Sequence, residues 1–324
     1  MKAIVQDSYG AADVLRYEDV DAPVVGDDQV LVRVRAAGVD PGVWHLMTGL
    51  PLMIRVMGYG LRRPKTRVRG RDLAGRVEEV GSKVTRFRPG DEVFGIGEGS
   101  FAEYATPRER TLALKPSNIT FEQAAAVPIS GLAALQALRD KGRVVPGQRV
   151  LIIGAAGGVG SFAVQIAKAY GAHVTGVCST TKVELVRSIG ADHVIDYRRE
   201  DFAAGPVRYD LILDTAGNRP LAGLRRALTR GGTLVIVGGE GGGRWLGGFD
   251  RQILRAPLLS LFVSQKLKGL VSPERREDLE VLRELIQAGK VMPVIDRTFP
   301  LEEAPEAIRY VASGRARGKV VIAV

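Results

Sequence analysis

Cysteine and histidine are both scarce in this sequence. Its 324 residues include one cysteine, Cys178, and three histidines, His45, His173 and His193. A single cysteine excludes an intrachain disulfide framework and any zinc site built from several cysteines. It also fits a reducing compartment, so we expect a cytoplasmic protein.

Long apolar runs are missing as well. The longest uncharged stretch, residues 150–167, is interrupted by glycines, Ser161 and Gln165. We therefore interpret it as strand, turn and helix rather than as a membrane span. The opening "MKAIVQD" holds only three apolar residues after Lys2, too few for a secretory signal. The sequence thus predicts no membrane partner.

Acidic residues are outnumbered by basic ones, 36 against 46, which gives a net charge of +10. Six of the cations fall within residues 62–71, "RRPKTRVRGR", which we call the basic segment. No aromatic residue interrupts it, so it lacks the pattern of a single-strand nucleic-acid site. We expect a solvated loop there and no nucleic-acid partner, although the overall charge would also suit an anionic cofactor.

The hydrophobic pattern changes near Thr120. Before it, short β-type runs are broken by Gly, Pro and Asp. After it, apolar strands alternate with helices, which indicates an α/β protein with a parallel sheet covered on both faces. One helix should end just before Gly171, and Thr181 with Glu184 should form a capping box on the next helix.

Three glycines occupy the turn between a predicted strand, residues 149–153, and the following helix. Gly154, Gly157 and Gly160 have the spacing that lets a backbone approach a pyrophosphate, while the helix start offers free N–H groups to that anion. A packing turn without a ligand is the alternative. The absence of a Gly-Lys-Ser/Thr continuation argues against a P-loop.

No acidic residue stands at the end of the second strand of this unit. An Asp or Glu there would accept the ribose hydroxyls of NAD, but this chain has Ser179, Thr180 and Lys182 after Cys178. Hydroxyls and a lysine favour a 2′-phosphate, so the sequence predicts NADPH. We interpret Cys178 as a small apolar filler.

A glycine-rich stretch, residues 238–248, directly follows another predicted strand. Ligands in open α/β sheets bind beyond the carboxyl ends of strands. The stretch is therefore either a slack linker or a mobile active-site loop.

Several motifs together resemble the medium-chain dehydrogenase/reductase superfamily, and more narrowly its zinc-independent quinone oxidoreductase branch. They are "AAGVDPGVWHLMTG", "GRDLAGRVEEVG", "FRPGDEVFG", "GAAGGVGSFAVQIAKAYGA", "VCSTTKVELVRSIGADHVIDYRRED" and "GKVVIAV". The resemblance implies a GroES-like β-barrel catalytic domain, residues 1–120 and 292–324. It also implies a Rossmann domain, residues 121–291, with the active site in the cleft.

The resemblance also implies the cofactor contacts. Gly157, Gly158, Val159 and Gly160 would meet the pyrophosphate. The adenosine phosphate end would be met by Ser179, Thr180, Lys182 and Tyr197. The nicotinamide would be contacted by Val237, Gly238, Gly239, Phe262 and Val263. Lys319, near the end of the sequence, would also reach the cofactor.

The zinc ligands of the superfamily's alcohol dehydrogenases are replaced here. Asp40 stands at the position of the early Cys, and Arg71 and Asp72 stand at the His-Glu pair. An arginine cannot ligate zinc, and the lobe of four cysteines is absent. The resemblance therefore implies that no metal is bound.

The same resemblance places candidate catalytic residues around the predicted helix after Asp40. His45 stands at a proton-relay position, or it is a structural histidine. Asp40 would orient the substrate or cap the helix, and Trp44 would stack on a flat substrate or belong to the core.

The activity implied is hydride transfer from NADPH to a quinone or an α,β-unsaturated carbonyl, a small molecule, without a metal. An enoyl-thioester reductase is an alternative, since the basic segment could meet carrier phosphates. An NADPH-binding nucleic-acid or redox-sensing protein is another. The family also makes a homodimer possible.

Overall fold

The computed structural model describes residues 1–239, 243–250 and 254–324. The chain forms two compact units. Unit 1 comprises residues 1–132, 274–289 and 293–324, and unit 2 comprises residues 133–273 and 290–292. Among the residues described, no helix has the length and apolar character that crossing a membrane requires.

The secondary structure follows in chain order. The strands are β1 Lys2–Val5, β2 Arg16–Asp19, β3 Val30–Val39, β4 Asp72–Val80, β5 Glu92–Ile96, β6 Tyr104–Ala105, β7 Leu112–Leu114, β8 Arg149–Ile153, β9 His173–Cys178, β10 His193–Asp196, β11 Tyr209–Asp214, β12 Leu228–Ile236, β13 Lys266–Gly269, β14 Ile295–Pro300 and β15 Lys319–Ala323. The helices are α1 Pro41–Thr48, α2 Phe121–Ala125, α3 Pro128–Gln136, α4 Gly158–Ala169, α5 Val183–Ser188, α6 Leu221–Ala227, α7 Ala256–Ser260, α8 Arg276–Gln287 and α9 Ala304–Ala312.

Unit 1 is built on a seven-stranded sheet in the order β14-β15-β3-β4-β5-β7, with β6 also paired to β3. β14 and β15 run parallel, and the other neighbours are antiparallel. In β3, Val30, Val32 and Val34 are buried between more exposed residues, the alternation of a strand with one face on a core. β1 and β2 form a separate antiparallel pair.

Helix α8 belongs to unit 1, whereas the sequence boundaries at residues 120 and 292 assign it to the Rossmann domain. Its buried residues Leu279, Leu282 and Ile286 lie on one face. The Asn118 side chain donates a hydrogen bond to the carbonyl of Ile286 at 2.9 Å. Helical periodicity identifies a buried face but does not say which sheet that face covers, so the sequence could not assign this helix.

Unit 2 contains the predicted parallel sheet. Its strand order is β10-β9-β8-β11-β12-β13. Numbered within the unit, this is 3-2-1-4-5-6, the order of the Rossmann fold, and the fold class predicted from sequence is confirmed. The sequence reading missed β13, a short edge strand with Lys266 and Lys268 that offers little apolar signal.

Two helix-end predictions have different outcomes. Helix α4 ends as expected, with Gly171 just beyond it at φ +79°. The capping box of Thr181 with Glu184 is wrong. Residues 180–182 form a short 3₁₀ turn, α5 begins at Val183, and no side chain of the described residues caps it. The tighter turn places Thr181 inside a helical segment rather than before one.

Candidate functional site

The glycine turn of unit 2 lies where β8 ends and α4 begins. Gly154 adopts φ +80°, a region that favours glycine, and its N–H donates to the carbonyl of Val177. The N–H of Gly157 then donates to the Gly154 carbonyl at 2.9 Å, which closes the turn. β8 adjoins both β9 and β11, so the turn sits where the strand order reverses, the place where such sheets bind ligands.

Gly160 brings the first turn of α4 against this loop. A Cβ at Gly160 would lie 2.1 Å from the Gly154 carbonyl oxygen, far too close for any side chain. The cap residue Gly157 offers no side-chain acceptor, and no other side chain in the described ranges caps α4. The N–H groups of Gly158, Val159 and Gly160 at the helix start are placed as the predicted pyrophosphate site requires, and binding of a pyrophosphate there stays a prediction.

No acidic residue directly follows β9 in the chain, as the sequence indicates, but an acid from the neighbouring strand lies beside the end of β9. It is Asp196, at the end of the neighbouring strand β10, where it is paired with Cys178. The Thr180 hydroxyl donates to Asp196 Oδ2 at 2.6 Å, and the Arg198 N–H donates to Oδ1. These bonds, with the Arg199 guanidinium, hold the pKa of Asp196 below its usual value. The Thr180 hydroxyl therefore donates its hydrogen to a protein carboxylate in this structure and not to a cofactor phosphate.

The turn after β10 adds cationic groups that the sequence reasoning did not select. A cavity of about 220 Å³ is lined by residues 197–202 and by Arg219. The Arg219 guanidinium lies over the Tyr197 ring at 5.5 Å, and that tyrosine is 45% exposed. Three arginines, Arg198, Arg199 and Arg219, face two carboxylates here. The signal available in the sequence was the "YRRED" run.

The other residues predicted to contact the adenosine phosphate end of the cofactor lie close to Thr180 in the chain. Ser179 is half-buried and precedes the 3₁₀ turn that holds Lys182. Cys178 is buried, and burial raises the pKa of its thiol to about 11, assisted by Asp196. This agrees with a packing role and leaves little reactive thiolate.

The residues predicted to lie along the nicotinamide fall after β12 and before β13. The N–H groups of Val237 and Gly238 donate to the carbonyl of Asp214, which fixes the start of this segment. Gly239 accepts a hydrogen bond from the Gly248 N–H. Phe262 is 78% exposed, and Val263 packs against the core of unit 2. Residues 240–242 of the glycine-rich stretch lie outside the described residues, so linker and active-site loop both stay predictions.

Helix α1 of unit 1 carries the candidate catalytic side chains. Asp40 is its N-cap and accepts the Gly42 N–H at 2.7 Å, so the capping role is confirmed. Asp40 is only 5% exposed, and its Oδ2 has no hydrogen-bond partner among the described residues. Trp44 packs against the core of unit 1, with its ring edge-on to His45.

His45 has a defined orientation. Its Nδ1 lies 2.7 Å from the carbonyl oxygen of Leu50. A carbonyl only accepts, so Nδ1 carries the hydrogen of this bond, and any proton delivered to a substrate would leave from Nε2.

Lys319 lies in β15 and is almost completely buried, 2% exposed. Its Nζ is 3.1 Å from Asp72 Oδ2, and Asp72 Oδ1 accepts the Ile129 N–H at 2.9 Å. Burial raises the pKa of Asp72, and Asp40 acts in the same direction, while Lys319 opposes both. A contact between Lys319 and a cofactor stays a prediction.

The residues at the former zinc positions are engaged by other groups. Asp40 caps α1, Asp72 pairs with Lys319, and the Arg71 guanidinium pairs with Glu274. Within the described ranges, no group of three or more His, Cys, Asp or Glu side chains is placed to hold a metal ion. This donor set does not fit a catalytic zinc.

Comparison with known proteins gives two family-model matches. Residues 26–117 match the alcohol dehydrogenase GroES-like domain, and residues 189–322 match the zinc-binding dehydrogenase family. The second family's description names a metal, whereas the resemblance matches Asp40, Arg71 and Asp72 of this chain to zinc-ligand positions.

Individual relatives cover nearly the whole chain. A 2-methylene-furan-3-one reductase of Solanum lycopersicum is 35% identical, over 99% of this chain and 79% of that protein. An NADPH-dependent alkenal/one oxidoreductase of Arabidopsis thaliana is 34% identical, with the same two coverages. The solved quinone oxidoreductase of Coxiella burnetii superposes with a TM-score of 0.86 at 30% identity, over 100% of this chain and 99% of that one.

Proposed function

Because this chain belongs to the medium-chain dehydrogenase/reductase superfamily, in its quinone oxidoreductase-like branch, we propose that it transfers hydride from NADPH to a quinone or an α,β-unsaturated carbonyl without a metal. The observation that carries this choice of acceptor is the donor set at the former zinc positions. Without zinc at these positions, no Lewis acid would polarise the carbonyl of an unconjugated substrate.

Conjugated acceptors need less help from the protein. They delocalise the negative charge that develops on hydride transfer, so orientation and one proton suffice. The imidazolium form of His45 would supply that proton from Nε2 and become neutral, while its Nδ1–H stays bonded to the Leu50 carbonyl. Asp40, through its unpartnered Oδ2, would orient a donor group of the substrate or exchange a proton with it.

The chain offers a consistent set of groups for the dinucleotide. Bound NADPH would supply the hydride. Gly158, Val159 and Gly160 would bind the pyrophosphate through their N–H groups at the start of α4. The segments after β12 and before β13 would carry the nicotinamide contacts assigned to Val237, Gly238, Gly239, Phe262 and Val263.

NADPH preference rests on the groups around the ends of β9 and β10. The oxygens of Asp196 already accept hydrogen bonds from Thr180 and Arg198. An acid so engaged is a weaker partner for ribose hydroxyls, while Lys182 and the arginines around Tyr197 favour a 2′-phosphate.

The first test measures initial rates of NADPH oxidation against an ortho-quinone, a short enal and an enoyl thioester, with NADH alongside each. We expect turnover of the quinone or the enal, a preference for NADPH, and no change after treatment with a chelator. Turnover of the enoyl thioester alone would establish the alternative reductase. A bound NADPH without turnover of any acceptor would contradict the proposal and favour a sensing role.

Lys182→Ala tests the cofactor preference directly. The expected result is a loss of NADPH affinity of roughly tenfold with little change for NADH, because a charge-assisted contact is removed. The matched control is Lys83→Ala, an exposed lysine in unit 1. Equal weakening of both cofactors would show that Lys182 does not meet the phosphate.

A further inference from the structure

A cavity of about 30 Å³ lies within unit 1, beside helix α1. Its apolar wall comes from Val43 and Leu46 of α1 and from Val68. Its polar lining includes Arg69, Arg71, Tyr59, Thr66 and Glu98. This volume admits a small group rather than a whole substrate, and an apolar wall with a few polar groups is the lining expected of a ligand site.

The end of the basic segment is not a solvated loop. The Arg69 N–H donates to the Ile4 carbonyl, and the Arg69 carbonyl accepts the Phe101 N–H. Gly70 adopts φ +92°, and a Cβ there would lie 2.4 Å from atoms of Phe101 and Ser100. This fixed backbone holds Arg69 and Arg71 at the cavity from both sides of Gly70.

Arg69 is buried without a paired anion. It is 6% exposed, its Nε has no hydrogen-bond partner, and no carboxylate of the described residues lies within 4.0 Å of its guanidinium. Burial lowers the pKa of this guanidinium, although Glu98 and Tyr9 oppose the shift. Because arginine stays charged in proteins, its burial is favourable only when an anion pairs with it.

The other charged groups of the lining are already engaged. Arg71 pairs with Glu274, and its buried Nε has no partner among the described residues. Glu98 is exposed, and its Oε2 accepts the Thr66 hydroxyl at 2.6 Å. The cavity therefore lacks one negative charge close to Arg69, and a nearby Glu98 disfavours an anion with more charge than that.

We propose that this cavity binds a singly charged carboxylate carried by the acceptor, with Arg69 as the pairing residue and α1 as the apolar wall. The inference rests on the proposed function and names its substrate class: conjugated carbonyl compounds that bear a carboxylate. Arg69 is a specificity residue in this proposal, and the hydride and proton transfers are those already described.

The test uses one carbon skeleton in two charge states, β-acetylacrylate and its methyl ester, with NADPH. In the unmodified protein we expect kcat/KM for the acid to exceed that for the ester. Arg69→Gln should lower kcat/KM for the acid at least about tenfold and change the ester less than about twofold, because one charge-assisted pair is lost. For Arg69→Lys, kcat/KM for the acid should lie between the values of the unmodified protein and of Arg69→Gln, because lysine keeps the charge but not the planar guanidinium.

Two further variants sharpen the result. Arg67→Gln is the matched control: this exposed arginine of the same segment pairs with Asp7 and Glu18 and does not line the cavity. Arg67→Gln should leave the ratio of kcat/KM for the acid to kcat/KM for the ester unchanged. Glu98→Gln removes the competing carboxylate and should raise kcat/KM for the acid only. An unchanged ratio in Arg69→Gln, or an equal fall in Arg67→Gln, would overturn the proposal.

A binding measurement separates this proposal from the proposed function. Levulinate, the saturated analogue, is titrated calorimetrically into the unmodified protein and into Arg69→Gln, with acetate and inorganic phosphate as competitors. Levulinate binding that is lost in Arg69→Gln supports the carboxylate site even if no acceptor is turned over. Competition by phosphate but not acetate would overturn the carboxylate assignment and indicate a phosphate-bearing ligand. Turnover of the ester without levulinate binding would leave the reductase standing and refute the site.

Discussion

Removing Lys319 from its buried pair with Asp72 should extend the pH dependence of the stability of unit 1 to higher pH. In the unmodified protein the pKa of Asp72 is raised to about 6, chiefly by burial, with Lys319 opposing. A raised carboxyl pKa means that the folded chain holds this proton more tightly than the unfolded chain. The free energy of unfolding therefore falls as pH rises from the ordinary value toward the raised one.

Lys319→Met should extend this fall to higher pH. Without the ammonium, the pKa of Asp72 rises further. The free energy of unfolding then falls by about 1.4 kcal/mol for each additional pH unit until that pKa is passed. Between pH 6 and pH 8 the unmodified protein has almost finished this titration. The stability gap between the two proteins should therefore widen by up to about 2 kcal/mol over that interval.

Urea unfolding at pH 5, 6, 7 and 8 measures the gap. The assay uses a Trp245→Phe background, so that Trp44, packed in the core of unit 1, reports the unfolding of that unit. Lys83→Met is the control, because it removes an exposed pair with Asp27 and should give a small, pH-independent change. A gap for Lys319→Met that stays constant from pH 6 to pH 8 would refute the reasoning.

Three other predictions are independent of that pair. Gly160→Ala should cost about 1–3 kcal/mol of stability and weaken cofactor binding, because its Cβ would overlap the Gly154 carbonyl, whereas Gly205→Ala, with nothing within 4 Å, should do neither. Calorimetric cofactor titration and thermal unfolding compare the two, and equal effects would contradict the steric argument. Cys178 should react with iodoacetamide about 100-fold more slowly in the folded than in the unfolded chain, because its pKa is raised to about 11, and thiol loss followed by mass spectrometry measures both rates. Asp40→Ala should cost about 1 kcal/mol through the lost cap of α1, seen as a lower urea midpoint, and no change would mean that the cap is redundant.

The sequence predicted the features that local chemistry determines. The glycine turn needs a positive φ at Gly154 and no side chain at Gly160, and few other residues meet those conditions. The alternation of strands and helices fixed unit 2 as a parallel sheet. The cap at Asp40 was one of two stated possibilities, and a proline at the next position favoured it.

The features that depend on contacts distant in sequence were missed. Asp196 follows Thr180 by 16 residues, yet their side chains meet because β9 and β10 are neighbours. The same holds for the unpaired Arg69. A run of cations looks like a solvated loop until β1 on one side and Phe101 on the other bury Arg69. Side-chain partners across a sheet follow from register, which sequence periodicity alone does not provide.

The position of β15 has a consequence for how the chain acquires its structure during synthesis. This last strand lies between β14 and β3, and its Lys319 meets Asp72 across 247 positions of the chain. The first 132 residues therefore leave the ribosome without the strand that completes their sheet, and β3 keeps an open edge until β15 has been synthesised. Most of unit 2 is contiguous and free of this delay, so ribosome-bound fragments ending near residue 315 should protect β8 to β13 from proteolysis while β3 and β4 remain cleavable.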